Sequence, residues 1–368
     1  MTNSLLFALW AKNKNGGGGG GSDTRFTEFL EGTLTQVEDS NATTLTTALR
    51  WNPVITGVSL PNCTTIASTC LSSCAELTTV NMPKVTVVPN YAFALCPKLA
   101  SITLGDVTEL GYAAFYNCSS LTSVEFPSCI SIGTDVFRGC RYLLSASFPE
   151  CTAVAQAAFM CDYGLQTAYF PKCTILYASA FMSCSALSAI SMPSCTTVGI
   201  TAFNGAGIIS ADFPHCTLMS SSAFGSCTSL IMASFPICTS IAPYAFNSCT
   251  HLTDVSFPIC ATVGSQAFRW CQALPSISLP KCNSIYYLAF SGCFHLLSVY
   301  LFTSSVPTLV DITAFESTPI SDYTTSTSGV YGSIFVKASL LDSFKAAKNW
   351  SVYSARIVGL TDEQIAAL

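Results

Sequence analysis

Twenty cysteines in 368 residues are the most reactive resource of this sequence, and two chemistries would use them, disulfide cross-linking or thiolate metal binding. Nine follow a Pro-x step: Cys63, Cys129, Cys151, Cys173, Cys195, Cys216, Cys238, Cys260 and Cys282. Ten follow an Ala-Phe element: Cys74, Cys96, Cys118, Cys140, Cys161, Cys184, Cys227, Cys249, Cys271 and Cys293; Cys70 stands outside both columns. The columns are about 11 residues apart, half of a recurring unit, so they belong on different sides of a coil. Within a column, coils stacked like sheet strands lie about 4.8 Å apart, whereas a disulfide wants Cβ atoms about 3.8 Å apart and χ3 of about 90°. Zinc wants four ligands around one point, typically from close Cys pairs. There is no Cys-x-x-Cys here, and the one close pair is Cys70 and Cys74. The expectation is a ladder of reduced, buried thiols serving as small hydrophobes, with no metal and no cofactor.

Other chemistry is equally hard to assemble. His251 and His295 occupy one repeat position two coils apart, about 10 Å at the strand spacing, too far to share a metal ion, and His215 is the third and last histidine. No Gly-x-Ser-x-Gly elbow occurs in a strand-to-helix setting. The run Gly16 to Gly21 has neither a Lys-Ser/Thr ending nor a preceding strand, so it reads as a flexible linker and not a phosphate loop. Glu125, Asp212 and Asp254 are scattered one per coil, unpaired for acid–base work. No catalytic residue is assigned, and a non-enzymatic role is expected.

Composition narrows the classes further. Half of the residues are hydrophobic, 10% are charged, and the net charge is −5. Disordered chains need the opposite balance, and 15 basic against 20 acidic residues disfavour a nucleic-acid partner. The apolar run Ile285 to Phe302 is in register with similar segments containing Ser, Thr and Pro, so it reads as a repeat unit and not as a transmembrane segment.

That register is the organising signal. Phe93, Phe115, Phe137, Phe159, Phe181, Phe203, Phe224, Phe246, Phe268 and Phe290 recur every 22 residues, with one step of 21 after Phe203. Degenerate copies stand at Leu71 and Phe315. In the unit Leu121 to Tyr142, period-2 alternation turns Leu121, Val124 and Phe126 inward and Thr122, Ser123 and Glu125 outward. Pro127 stops the strand, and Cys129 and Ile132 face inward on the next side. Gly133 offers a permissive corner, and Val136, Phe137 and Cys140 suit a short helical or 3₁₀ turn. The hydrophobicity is therefore interior.

At this point the units, exemplified by LTDVSFPICATVGSQAFRWC from Leu252 to Cys271, resemble the cysteine-containing leucine-rich repeats called BspA-like or Treponema-type. The resemblance spans roughly Val58 to Leu301, and Ile334 to Leu360 resembles the closing segment of such proteins. It implies a right-handed leucine-rich-repeat solenoid with one short strand per coil in a parallel sheet and a C-terminal α/β cap. Departures are a deletion around Asn204 to Ile208, Gly105-Asp106-Val107 where Pro-x-Cys is due, and Val85 in place of a cysteine. The implied organisation is an apolar peptide and polyglycine tether over 1–22, an entry segment over 23–57, a solenoid of about eleven coils over 58–302, and a degenerate repeat with a cap over 303–368. In the cap, Ser339 would N-cap a helix whose Leu340, Leu341 and Phe344 share an apolar face.

A solenoid presents one exposed row per coil. Here the row before the last inward strand residue reads Asn81, Thr103, Glu125, Ser147, Tyr169, Ser191, Asp212, Ser234, Ser256, Ser278 and Tyr300. This hydroxyl-rich ribbon with two tyrosines suits a protein or glycan receptor on a cell surface. Leu5, Leu6, Phe7, Leu9 and Trp10, ahead of the glycine tether, suit docking to a larger assembly; no charged n-region or cleavage site marks them as a secretory signal. The family resemblance implies adhesion or recognition, and similar repeats also occur in phage-encoded proteins. The expected role is receptor binding or host attachment on a virion. A secreted bacterial cell-surface adhesin and a structural assembly protein are the alternatives.

Overall fold

The computed structural model describes residues 35–321 and 331–368. The docking peptide and the glycine tether lie outside them. The chain divides into two compact units, Met1–Pro171 and Lys172–Leu368, and each is a stack of parallel-strand coils.

In the first unit, strands Gln36–Glu38, Gly57–Ser59, Thr79–Met82 and Ser101–Leu104 pair in order, with Val58 opposite Val80 and Val80 opposite Ile102. A second run joins Ser123–Glu125, Ser145–Ser147 and Thr167–Tyr169 through Val124, Ala146 and Ala168. After the first pair, where residue n faces n+21, residue n faces n+22, so the sequence period is the ladder register. The alternation is as expected: Leu121, Val124 and Phe126 are buried, and Thr122, Ser123 and Glu125 are exposed. After Pro127 each coil adds a second strand of two residues, beyond the single strand expected. Val87–Val88, Glu109–Leu110, Ser131–Ile132 and Ala153–Val154 form this other ladder. The second unit repeats the scheme from Ile175–Leu176 to Ile357–Leu360.

The third side of the coil corrects the expected helical turn. Val136, Phe137 and Cys140 are buried, but the segment is a chain of hydrogen-bonded turns bounded by two left-handed residues, Asp135 at φ 57° and Gly139 at φ 80°. The amides of Asp135, Phe137 and Gly139 point to the next coil and donate to the carbonyls of Gln156, Ala158 and Met160 at 3.0, 2.8 and 3.0 Å. In a helix those amides would bond within their own turn; the left-handed residues aim them outward and make a third inter-coil ladder. Each non-glycine residue in that conformation costs about 1–2 kcal/mol, which the ladder offsets. Gly133 needs no unusual φ. A Cβ there would meet the Gly111 and Leu110 backbone at 2.9 Å, so glycine is required by the close approach of the preceding coil.

The core is a set of aromatic stacks. Phe115 and Phe137 stack 5.3 Å apart with nearly parallel rings, and Phe137 and Phe159 lie 5.2 Å apart. Beside them, Phe126 and Phe148, each one residue past a longer strand, fill the same interior. In the second unit, strands Ser333–Lys337 and Ile357–Leu360 extend the sheet begun by Ser276–Ser278 and Ser298–Leu301. The helix Leu341–Ala346 follows a 3₁₀ turn, Ala338–Leu340. Ser339 is not its cap: the N-cap position is Leu340, and no side chain caps it. Of the three residues expected on its apolar face, only Phe344 is fully buried, against Trp350. Trp350 donates through Nε1 to the Pro307 carbonyl at 2.7 Å, and Asn349 donates to that of Leu309 at 2.7 Å. These bonds close the end of the stack.

Candidate functional site

Cysteine chemistry comes first because the sequence is so rich in it. All twenty cysteines are free, and nineteen are buried. In the Pro-x column each thiol bends to the carbonyl two residues on, Cys129 to Ser131 at 3.3 Å and Cys195 to Thr197 at 3.3 Å. In the other column it reaches back one coil to the carbonyl beside the stacked phenylalanine, Cys118 to Phe93 at 3.1 Å, Cys140 to Phe115 at 3.2 Å and Cys271 to Phe246 at 3.1 Å. The thiols are thus satisfied weak donors as well as hydrophobes. Burial pushes Cys118 and Cys129 up to about 12 and Cys151 up to about 11, far from the thiolate that reacts with oxidants or metals. Among the described residues no group of three His, Cys, Asp or Glu is placed to hold a metal ion.

One coil departs from this column. Counting 22 from Cys140 lands on Asp162, not Cys161. Cys161 sits in the left-handed position at φ 65°, half-buried, and is displaced from the thiol column to which its sequence had assigned it. Asp162 takes the interior place, fully buried, and neither carboxylate oxygen has a hydrogen-bond partner. Burial above all holds its pKa well above the usual carboxylate range. Brief alkylation of the native protein should therefore modify Cys161 alone, and all twenty thiols should react once the unreduced protein is unfolded; a titration well short of twenty would contradict the free-thiol assignment.

Two of the three histidines tie coils together. His251 Nδ1 lies 2.6 Å from the Thr228 carbonyl and His295 Nδ1 2.7 Å from that of Gln272. A carbonyl only accepts, so both Nδ1 atoms carry the proton and tie each coil to the one before it.

The ribbon residues all reach the surface from the longer strands. In the first unit Asn81 lies opposite Thr103, and Glu125, Ser147 and Tyr169 form consecutive rungs. In the second, Asp212, Ser234 and Ser256 are consecutive, Tyr300 lies beside Ser278, and Ser191 stands on the strand Ala189–Ser191. Tyr169 is 48% exposed, whereas Tyr300 is half-buried by stacking 5.1 Å from Phe335.

The ribbon is interrupted in three places, two of which the sequence reading treated only as irregularities of the repeat and the third of which it passed over. Strand pairing stops between Ser101–Leu104 and Ser123–Glu125, between Ala189–Ser191 and Ser210–Asp212, and between Asp254–Ser256 and Ser276–Ser278. The first break falls at the coil carrying Gly105-Asp106-Val107, and the second at the 21-residue step. At the third stands Pro275, without an amide, at the position from which Thr253 donates to Ile231 and Leu297 donates to Pro275 in the neighbouring coils. Each break uncovers an inward side chain at one strand position: Ile102, Ile190 and Val255 are half-exposed, while Val80, Val124, Ala146, Ala211, Ala233 and Ile277 at the same position are buried; at the first break Leu104 is half-exposed too. At the second break a crevice of about 250 Å³ opens over Ile190, Met192 and Phe213, with Ser188, Ser210 and Asp212 at its mouth. Ile209, Ile231 and Met232, which the sequence reading did not single out, stand exposed beside it.

Comparison with known proteins agrees with this architecture. A search of curated proteins finds no match. A leucine-rich repeat protein from Bacteroides ovatus is similar in structure, with a TM-score of 0.62 and 19% identity over 83% of this chain and 84% of that one. A leucine-rich cell surface protein from Faecalibacterium prausnitzii matches at 22% identity and a TM-score of 0.46, covering 83% of each chain. The BspA type leucine-rich repeat region matches residues 48–166, 108–231, 152–258 and 217–342. With these matches together running from 48 to 342, over the coils described above, the chain belongs to the BspA-type leucine-rich repeat family.

Proposed function

We propose that this protein is a non-enzymatic recognition protein whose exposed strand ribbon binds a protein or glycan on a cell surface. Proteins of its family are typically cell-surface or extracellular, and their solenoids are typically non-enzymatic. Among the described residues no helix is long and apolar enough to cross a membrane. The observation that carries the reading is the ribbon itself: hydroxyl and amide side chains in repeat register, low in charge, with Tyr169 projecting 48% exposed from its strand. Tyrosine combines a rigid apolar ring with a polar tip, which suits it to anchoring a contact. Labelled protein should bind target cells, and a Tyr169→Ala, Tyr300→Ala double variant should lose about thirtyfold in affinity, the worth of one strong anchor of about 2 kcal/mol. Unchanged binding by the folded variant would move recognition off the ribbon.

In its narrower form the proposal is receptor binding from a virion, the apolar peptide Leu5 to Trp10 docking in the particle and the glycine run Gly16 to Gly21 acting as a tether. Deleting residues 1–22 is expected to abolish incorporation into purified particles, read by mass spectrometry. Undiminished incorporation would refute the docking role.

A further inference from the structure

The second break in the ribbon differs from an ordinary surface irregularity because three independent features meet there. The backbone is open: Ala189–Ser191 ends one sheet and Ser210–Asp212 begins the next, so two strand edges face each other without a ladder between them. An edge is a template for another extended chain. The interior is also open, since Ile190 is half-exposed and the 250 Å³ crevice is floored by Met192 and Phe213. Finally, the rim is apolar and acidic. Ile209 and Ile231, joined by a 2.8 Å backbone hydrogen bond, and Met232 are exposed on the adjoining rungs. Asp212 is at the mouth, and Asp254 lies opposite Met232. No lysine, arginine or histidine lies on the strands from Ala189–Ser191 to Ser276–Ser278.

The cause is local. The 21-residue step falls in Asn204 to Ile208, yet on the other two sides the same coils remain joined. Thr197 and Val198 pair with Leu218 and Met219, and the Thr201, Phe203 and Gly205 amides still donate to Ser221, Ala223 and Gly225. One missing residue therefore opens one face of one coil, and the crevice is held from behind by two intact ladders.

We propose that this crevice is a docking site for an extended peptide segment of a partner protein, one carrying a large apolar side chain next to a lysine or arginine. The apolar side chain enters over Ile190 and Phe213, the peptide backbone runs along the open strand edges, and the basic side chain meets Asp212. This gives the recognition reading above a location and a partner chemistry, and it rests on that reading. A sugar ring would use the serines and Asp212 but leave the exposed isoleucines and Met232 without a role.

The test is binding of a blocked, fluorescein-labelled hexapeptide, Thr-Lys-Phe-Thr-Val-Thr, to the full chain, followed by anisotropy. Versions with aspartate for phenylalanine and glutamate for lysine serve as controls. The parent peptide is expected to bind at least about tenfold more tightly than the aspartate version, as loss of a buried anchor implies. Asp212→Asn should weaken the lysine peptide about two- to fivefold, the range of an exposed ion pair, and leave the glutamate peptide unweakened. Inserting one asparagine between Ala206 and Gly207 restores the 22-residue step and should abolish binding; Ile190→Glu, at a half-exposed position, should do the same if the insertion fails to fold. Equal binding of parent and control peptides, undiminished binding by the folded insertion variant, or a response to monosaccharides in place of the peptide would overturn the site. Cell binding that survives in the insertion variant while the peptide fails to bind would overturn the crevice and leave the wider recognition role standing.

Discussion

Replacing Asp162 with cysteine is expected to stabilise the first unit and to flatten its response to pH. At this position Cys74, Cys96, Cys118 and Cys140 each donate a thiol hydrogen bond to the coil before. Asp162 alone in that run is a carboxyl with both oxygens unpartnered and fully buried. A buried polar group without partners costs about 1–3 kcal/mol, and the thiol would recover that amount by bonding to the Phe137 carbonyl as Cys140 bonds to that of Phe115. The pH dependence follows from the direction of the shift. The folded carboxyl is raised well above its ordinary value, mainly by burial; the Cys140 and Gly139 amides lie near enough to oppose this in part, but they donate to the Phe137 and Met160 carbonyls and do not meet hydrogen-bond geometry with Asp162. Its titratable neighbours within the first unit are Cys140 and Cys161. Below the unfolded value of about 3.9 both states hold the proton, and the group exacts no pH-linked cost. Above it the unfolded chain releases a proton that the folded chain keeps, so stability falls by about 1.4 kcal/mol per pH unit until the folded carboxyl itself ionises. Urea denaturation at pH 4 and pH 7 checks this. The parent should be the more stable at pH 4, whereas Asp162→Cys should be nearly level between the two and exceed the parent at pH 7. A parent that is more stable at pH 7, with no gain on substitution, would show that Asp162 is ionised and satisfied in the fold.

A larger loss is expected from Phe137→Ala. Its ring is wholly buried, with Phe115 5.3 Å away on one side and Phe159 5.2 Å away on the other, and Phe126 and Phe148 packed laterally. Removing a core phenylalanine costs about 3–5 kcal/mol, toward the upper end where the cavity cannot collapse. Collapse is resisted here because Asp135, Phe137 and Gly139 hold the backbone to the next coil through the third ladder. Stability in a stack of coils is nearly a sum of unit and neighbour terms, so damage at one coil should appear as a hydrogen-exchange boundary on both sides of it. A loss under about 1 kcal/mol would mean that the stack closes over the gap, contrary to the fixed ladders.

The inward residues of the unit Leu121 to Tyr142 were legible because alternation and 22-residue recurrence both pointed to them, and the structure buries each one. The turn side was not legible. Its left-handed positions hold Tyr91, Leu95, Asn117, Asp135, Ser183 and Trp270 among others, and few of them are the glycines that signal such backbone. What fixes them is hydrogen bonding to the next coil, which no short window of sequence contains. Asp162 was hidden by its neighbour, since Cys161 supplied a cysteine one place early and the eye accepted it; strict counting from Cys140 would have found the carboxyl. The crevice was half-legible. The short step and Pro275 are visible as text, but that each uncovers an inward residue follows only from which amides the ladders use.

The closed thiol columns bear on how long such a molecule lasts. In an oxidising medium a folded copy offers oxidants one half-buried thiol, that of Cys161, and needs no enzyme to arrange cross-links while it matures. A copy that opens for an instant exposes many at once, and oxidation beyond the sulfenic stage is not undone. Where oxidation outpaces reclosing, ageing of the population is then a count of opening events, set by the height of the unfolding barrier.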